Sequence, residues 1–291
     1  MISIIISSSN AEYLSAVEKN IDATVGTPYE VIAVPNGDGK RGICEVYNSA
    51  GAHAKYDVLC FMHEDVIIHT QGWGKKVVEI MSDPKIGLLG IAGSEYKSLT
   101  PAPWACPGVL RTRHKANILQ RFKFVDKPTV HEYHNSDNED LSQVVAVDGV
   151  WICTRRNVFG EFKFDDRVLS RFHGYDVDYS LQVGSKYKVY VTYNVLLEHF
   201  SEGNYSEEWL GAILALHTKH KQRLPLSTKV VSKDEARRGE KAAAKELLKK
   251  VNCLNYTSAD KLKLLWDYNL VKVLGTRLFI AFHLNILLKR Y

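Results

Sequence analysis

The sequence predicts an α/β fold in which a mixed, mainly parallel sheet is flanked by helices and followed by a helical extension. Up to about residue 205, short β-branched or apolar runs alternate with segments of helical spacing. Loop signatures such as Pro35-Asn36-Gly37-Asp38-Gly39 follow these runs. Beyond residue 205 only helical spacing recurs. We therefore expect an α/β domain over 1–205 and a helical C-terminal extension over 206–291.

The first 92 residues alternate regularly between strand and helix patterns. Strand, helix, strand is the opening of a parallel α/β sheet. The predicted strands lie at 2–7, 29–34, 57–62 and 86–92, and the predicted helices at 11–21, 43–54 and 73–81.

The pattern loosens over 94–142, where prolines and charged residues predict a long irregular excursion with a hairpin around 109–125. Long irregular segments of this kind usually serve as lids or binding loops. Regular structure is expected to return with a strand at 144–154, interrupted by Asp148-Gly149. A helix after Gly174 and a last strand at 189–197 follow, and the chain is then helical.

The composition is that of an ordinary globular protein, with 45% apolar and 24% charged residues among 291. Five scattered cysteines without a C-x-x-C spacing indicate neither a disulfide framework nor a zinc site, and favour a reducing, cytoplasmic setting. The N-terminus lacks a signal-peptide pattern, and no apolar run is long enough to span a bilayer.

The positive charge is concentrated between Lys219 and Lys250, where 11 Lys and Arg face 4 acids, a net charge of +7 in a chain of net +5. Such a segment suggests an anionic partner, although a solvated lysine-rich helix is the alternative. No aromatic residues interleave with these charges, so binding to nucleic acid is not expected.

The run Asp57-Val58-Leu59-Cys60-Phe61-Met62-His63-Glu64-Asp65 combines a buried-strand pattern with an abrupt acidic end. Ligands of α/β proteins bind at such strand ends, and carboxylates there suit a divalent metal with a phosphate substrate. The alternative is an ordinary solvated loop.

A second acidic cluster, Tyr175-Asp176-Val177-Asp178, opens a helix. Asp176 is a candidate general base, with Asp178 as its support or a substrate contact; helix capping is the alternative. His199 follows the last strand and could complete a metal site begun by Asp65, or be a plain surface residue.

The order of these motifs resembles the family 2 glycosyltransferases of the GT-A fold. The series runs from the strand ending in Ser/Asn through Asn-Gly-Asp, the acidic pair, Val-Asp-Gly and Tyr-Asp-Val-Asp to the strand-end histidine. Within that family it looks most like the glycosyltransferase-like domain of streptomycin biosynthesis proteins. The resemblance covers roughly 1–205.

The resemblance implies a metal-dependent, inverting sugar transfer from a nucleotide-sugar donor of UDP, dTDP or GDP type. The acceptor would be a saccharide or lipid-linked saccharide in bacterial polysaccharide or glycoconjugate synthesis. His63-Glu64-Asp65 occupies the place of the Asp-x-Asp motif, with His63 departing from it. The implied residues are the base Asp176, the Mn2+ or Mg2+ ligands Glu64, Asp65 and His199, and the substrate contacts Ser8, Asn10, Asn36, Asp38, Asp148, Gly149, Trp151 and Asp178.

Other interpretations remain open. His63 favours a non-catalytic nucleotide-sugar or carbohydrate-binding module, whereas a nucleotidyltransferase would need a glycine-rich basic loop that Ser7–Glu12 lacks. Trp104, Trp151, Arg155 and Arg156 are candidate acceptor or phosphate contacts, with core packing as the favoured alternative for Trp151. The C-terminal helices either pack on the core or lie on the inner face of a membrane as a peripheral contact.

Overall fold

The computed structural model describes residues 1–123, 125–203 and 206–290. The strands are β1 (Ile2–Ser8), β2 (Tyr29–Pro35), β3 (Val58–Met62), β4 (Val66–Ile68), β5 (Ile86–Gly90), β6 (Ala92–Ser94), β7 (Tyr96–Lys97), β8 (His114–Gln120), β9 (Val130–His134), β10 (Leu141–Val144), β11 (Ala146–Val147), β12 (Trp151–Arg155), β13 (Lys188–Thr192), β14 (Leu197–His199) and β15 (Leu226–Ser227). The helices are α1 (Ala11–Thr24), α2 (Ile43–His53), α3 (Trp73–Ile80), α4 (Arg156–Glu161), α5 (Tyr175–Val183), α6 (Glu207–His220), α7 (Lys233–Cys253), α8 (Ser258–Asp267), α9 (Val271–Leu274) and α10 (Thr276–Leu287).

The main sheet has the strand order β10-β13-β5-β12-β3-β1-β2. Pairing makes β1, β2, β3, β5 and β13 run in one direction, while β10 and β12 oppose them. Every residue of β3 is buried, which explains its unbroken apolar sequence, because a central strand is covered on both faces. The prediction of a mixed, mainly parallel sheet is confirmed.

A second sheet of order β11-β6-β8-β14-β4, extended by β9 beside β8, lies next to the strand ends. The predicted strand at 144–154 is divided between the sheets, because the chain turns at Asp148-Gly149 from β11 to β12. The predicted strand at 189–197 is divided in the same way into β13 and β14. Asp148 and His199 therefore lie where the chain passes between sheets.

The prediction placed the hairpin, around 109–125, too early in the chain. The paired strands are β8 and β9, with Ala116 opposite His134 and Gln120 opposite Val130. The apolar stretch of β8 pairs with β6 and β14 as well, so it is a central strand and not half of an isolated hairpin.

The C-terminal helices pack against the α/β domain. One hydrophobic core contains Phe61, Val147 and Tyr175 together with Leu216 of α6 and Leu247 of α7. Among the described residues, the helices are all too short or too polar to cross a membrane.

Buried polar contacts also join the two parts. The fully buried Glu240 of α7 accepts hydrogen bonds from the Tyr96 hydroxyl (2.9 Å), from the Leu99 N–H (2.8 Å), and from the N–H (2.9 Å) and hydroxyl (2.6 Å) of Thr100. These contacts fix the segment after β7, which leads to the candidate site.

Glu240→Ala is expected to lower the free energy of unfolding by about 3 kcal/mol, because four buried donors lose a charged acceptor. Urea denaturation measures this value. Glu246→Ala is the matched control on α7, since its side chain is 46% exposed, and it should change the value by less than about 0.5 kcal/mol. Equal effects of the two substitutions would contradict the role given to Glu240.

Candidate active site

Three neighbouring cavities lie near the strand ends, and His199 contributes to the wall of each. The largest of the three, about 540 Å3, is lined by Ser9, Asn10 and Asp65 among others, and is called the donor-side cavity after the ligand that the family resemblance leads us to expect there. The central cavity, about 180 Å3, is lined by residues including His63, Asp148, Gly149, Asp176 and His199. The outer cavity, about 330 Å3, is lined by residues including Trp104, His114, His134, Asp148 and His199.

His63, Asp65 and His199 form a group that could hold a metal ion. One ligand atom from each lies within 4.8 Å of the others. Asp65 Oδ1 is 3.9 Å from His63 Nδ1 and 3.6 Å from His199 Nε2. Among the described residues His199 Nε2 is buried without a hydrogen-bond partner. Two imidazoles and a carboxylate around an orphaned nitrogen fit a divalent cation.

Neighbouring side chains orient both imidazoles for this task. The Tyr175 hydroxyl donates to the Gly149 carbonyl (2.9 Å), so it can only accept from His63 Nε2 (2.9 Å), which leaves Nδ1 unprotonated toward Asp65. Likewise Gln120 Oε1 accepts from His199 Nδ1 (3.4 Å) and leaves Nε2 unprotonated. Metal-bound histidines are typically held by such partners.

The charge state of the group also suits a cation. Burial disfavours ionisation of Asp65, but protonation of the adjacent imidazoles of His199 and His63, together with the hydrogen bond from the Ser201 hydroxyl (2.7 Å), outweighs it and holds the pKa of Asp65 well below its ordinary value. Burial lowers the pKa of His63, which favours the neutral imidazole. A bound cation would take the place of the imidazole protons beside Asp65, so that it meets a carboxylate and unprotonated ring nitrogens.

Glu64, predicted as a metal ligand, lies outside this group. Its Oε1 accepts hydrogen bonds from the Ser9 N–H (2.9 Å), the Ser9 hydroxyl (2.9 Å) and the Asn10 N–H (3.0 Å). Glu64 thus fixes the loop between β1 and α1, which lines the donor-side cavity. The structure groups Asp65 and His199 with His63 instead.

Asp176 lies in the first turn of α5 and lines the central cavity. Burial, together with the nearby charge of Asp148, raises its pKa to about 7, and its Oδ2 accepts the Gly149 N–H (3.1 Å). A Cβ at Gly149 would lie 2.4 Å from the Tyr175 hydroxyl, so only glycine permits this close approach. A buried carboxyl group of this pKa suits general base catalysis near neutral pH.

Asp148 also lies at the centre. Its Oδ2 accepts the Trp104 indole N–H (2.6 Å) and its Oδ1 the Val150 N–H (2.9 Å). Asp148 lines both the central and the outer cavity. The structure therefore brings Asp148, Gly149 and Asp176 together at the central cavity.

Two predicted substrate contacts are placed elsewhere. Asp178 is fully buried and binds His220 (2.7 Å) and Lys219 (2.9 Å) of α6, so its carboxylate joins two helices. Trp151 is fully buried in the core, 6.0 Å from the ring of Trp73. Core packing is therefore the observed role of Trp151.

Of the predicted nucleotide contacts near β1 and β2, only Asn10 lines the donor-side cavity. Asn10 lines the donor-side cavity, and its side chain caps α1, but Ser7 and Ser9 line it rather than Ser8. Asn36 donates to the Arg41 carbonyl (2.9 Å) beside that cavity, while Asp38 is exposed and paired with Lys40 (2.8 Å).

The two arginines considered as phosphate contacts hold the backbone instead. Arg155 donates to the carbonyl groups of Asp83 and Pro84, and Arg156 to that of Ala54. Sequence reasoning missed Tyr175 and Gln120 as partners of the imidazoles, since no local pattern indicates which distant side chain a histidine will contact.

The two sheets and the site at their strand ends define a protein of the GT-A fold. The chain belongs to the Glycosyltransferase like family, whose model matches residues 3–210. The resemblance found in the sequence is confirmed for this family and fold. Comparison with curated proteins finds no match.

Solved structures share the fold at low sequence identity. GalNAc-T7 with UDP, GalNAc and Mn2+ has a TM-score of 0.52 and 11% identity, over 92% of this chain and 55% of that one. The mannosyltransferase PcManGT from Pyrobaculum calidifontis, with GDP-Man and Mn2+, has a TM-score of 0.51 and 11% sequence identity, and the match covers 99% of this chain and 86% of that one. TarS of S. aureus has a TM-score of 0.52 and 12% sequence identity, and the match covers 99% of this chain and 53% of that one. The chain thus spans about half the length of two of these proteins.

Proposed function

We propose that the protein transfers a sugar from a nucleotide-diphosphate sugar to an acceptor hydroxyl, with inversion, in bacterial polysaccharide or glycoconjugate synthesis. The observation that carries the proposal is the central cavity, which is lined by Asp176 as well as by His63 and His199. A base at this cavity suits the attacking hydroxyl, and a cation-holding group suits the diphosphate leaving group.

The residues divide the chemistry between them. Asp176 accepts the proton of the acceptor hydroxyl as its oxygen attacks the anomeric carbon. An attack opposite the leaving group inverts that carbon in one step, so no enzymic nucleophile is needed. His63, Asp65 and His199 would hold a divalent cation, which supplies positive charge to the diphosphate leaving group when bound.

The donor set favours Mn2+ over Mg2+, because Mg2+ prefers oxygen ligands and two of the three groups are imidazoles. The donor-side cavity, with Ser9, Asn10 and Lys123 in its walls, is the place for the nucleotide diphosphate. GalNAc-T7 and PcManGT, which share this fold, were crystallised with UDP and GDP-Man. A donor of UDP, dTDP or GDP type is therefore proposed.

Calorimetry with UDP, GDP and dTDP, with and without Mn2+, combined with hydrolysis of the corresponding nucleotide sugars, tests the proposal. We expect one nucleotide to bind more tightly with Mn2+ and its sugar conjugate to be hydrolysed slowly, since water can replace the acceptor. Binding without hydrolysis would favour a non-catalytic binding module. No binding of any nucleotide would refute the proposal.

The acceptor is proposed to be a saccharide or lipid-linked saccharide, with the protein in the cytoplasm at the inner membrane face. Trp266 of α8 and Ile280, Leu284 and Leu287 of α10 are 52–62% exposed. Residues 276–290 contain three basic and no acidic side chains. Such a surface suits anionic lipid.

If this surface lies on the membrane, Leu284→Asp should reduce co-sedimentation of the protein with anionic vesicles. Unchanged co-sedimentation would refute membrane contact. The narrower resemblance to the streptomycin biosynthesis domain stays a prediction.

A further inference from the structure

The outer cavity lies on one face of the second sheet. Alternate residues of β8, His114, Ala116, Ile118 and Gln120, line it, as expected for side chains that share a strand face. On β9, His134 lies opposite Ala116 and also lines the cavity. The cavity is therefore built on a rigid sheet.

The outer cavity adjoins the central cavity, and it shares with the donor-side cavity only His199 and residues 201–203. It shares Trp104, Asp148 and His199 with the central cavity, in which Asp176 lies. The β1–α1 loop, by contrast, belongs to the donor-side cavity. Because the nucleotide is assigned to the donor-side cavity, the outer cavity is available to the acceptor.

The charges of the outer cavity select against anions. Three carboxylates, Glu132, Asp148 and Glu202, line it, and within the part of the chain that the structure describes neither Lys nor Arg does. Arg111 pairs with Glu132 (3.1 Å) from outside this wall, so the like charge that a phosphate or carboxylate would meet is that of Asp148 and Glu202. The donor-side cavity also has three carboxylates, those of Glu64, Asp65 and Glu202, but its wall adds Lys123 and the complete metal-holding group.

The remaining walls suit a sugar ring. The Trp104 indole is held by its N–H bond to Asp148 (2.6 Å), and Ala92, Ala116 and Ile118 add apolar surface. His114 Nε2 is buried without a hydrogen-bond partner among the described residues, and burial lowers the pKa of this histidine, which favours its neutral form. Apolar walls with few polar groups match the C–H faces and hydroxyls of a saccharide.

We propose that the outer cavity binds an uncharged sugar residue of the acceptor and directs one of its hydroxyls past Trp104 and Asp148 to Asp176. This inference rests on the proposed function. In the transfer, the hydroxyl proton goes to Asp176 and the oxygen forms the new bond to the anomeric carbon. The bond from that carbon to the diphosphate oxygen breaks, and its electron pair leaves with the nucleoside diphosphate.

Saturation-transfer NMR with a panel of neutral methyl glycosides and their 6-phosphates tests the assignment. At least one neutral glycoside should give a signal with the wild-type chain and the phosphates none. Ala116→Leu, which fills the cavity, and Trp104→Leu, which removes its aromatic wall, should each lose that signal. Ala52→Leu adds the same bulk on the exposed side of α2 and should keep it.

Thermal melting identifies which variants are folded. The inference is overturned if no neutral glycoside gives a signal, if the phosphates bind better, or if both folded cavity variants keep the signal. Hydrolysis of nucleotide sugars by the wild-type chain tests the proposed function separately, because that reaction uses water in place of the acceptor.

Discussion

Asp176→Asn is expected to lower kcat for sugar transfer by about a thousandfold, because an amide cannot accept the acceptor proton. The amide oxygen can still accept the Gly149 N–H, which lies 3.1 Å from Asp176 Oδ2, so the cavity wall should keep its shape. Nucleotide affinity should therefore stay close to the wild-type value. Steady-state kinetics and calorimetry on the same preparation measure both quantities.

Asp234→Asn makes the same chemical change at an exposed position in the first turn of α7 and serves as the control. The pH profile adds a second test. Since the pKa of Asp176 is raised to about 7 and only the ionised carboxylate accepts a proton, kcat/KM should rise with pH and level off above about 7. Wild-type activity in Asp176→Asn would remove Asp176 from the base role.

The sequence patterns predicted the strand ends well, because burial leaves an apolar run and the turn after it leaves polar residues. Asp65 and His199 were found in this way, and both line the cavities, whereas Asp148 was expected only from the family resemblance. Which sheet a strand joins was not predictable. The segment at 144–154 reads as one strand, yet it pairs first with β6 and then with β3.

The site residues that were misplaced share a physical cause, which is that sequence neighbours do not share a direction. The chain bends at Glu64 and Asp65 between β3 and β4, so that His63 and Asp65 meet while Glu64 points to the β1–α1 loop. On a helix, residues two apart do not face each other. Asp178 accordingly faces α6 while Asp176 lines the cavity.

Asp65→Asn is expected to weaken Mn2+ binding by more than about a hundredfold, since even partners outside the ligand set cost about 10- to 100-fold in metal affinity. Asp65 is the only carboxylate of the metal-holding group in the described chain. Its replacement leaves two neutral imidazoles. Calorimetry and the electron paramagnetic resonance signal of Mn2+ measure the affinity without relying on activity.

Glu64→Gln makes the equivalent change one residue earlier and separates the two assignments of this motif. Because Glu64 binds Ser9 and Asn10 and lies outside the ligand group, Mn2+ affinity should stay within about threefold of wild type. The loop of the donor-side cavity loses a charged acceptor instead, so nucleotide affinity should fall by about tenfold. If Glu64→Gln abolished Mn2+ binding and a His63→Gln variant did not, the acidic pair would be the metal site, as the sequence suggested.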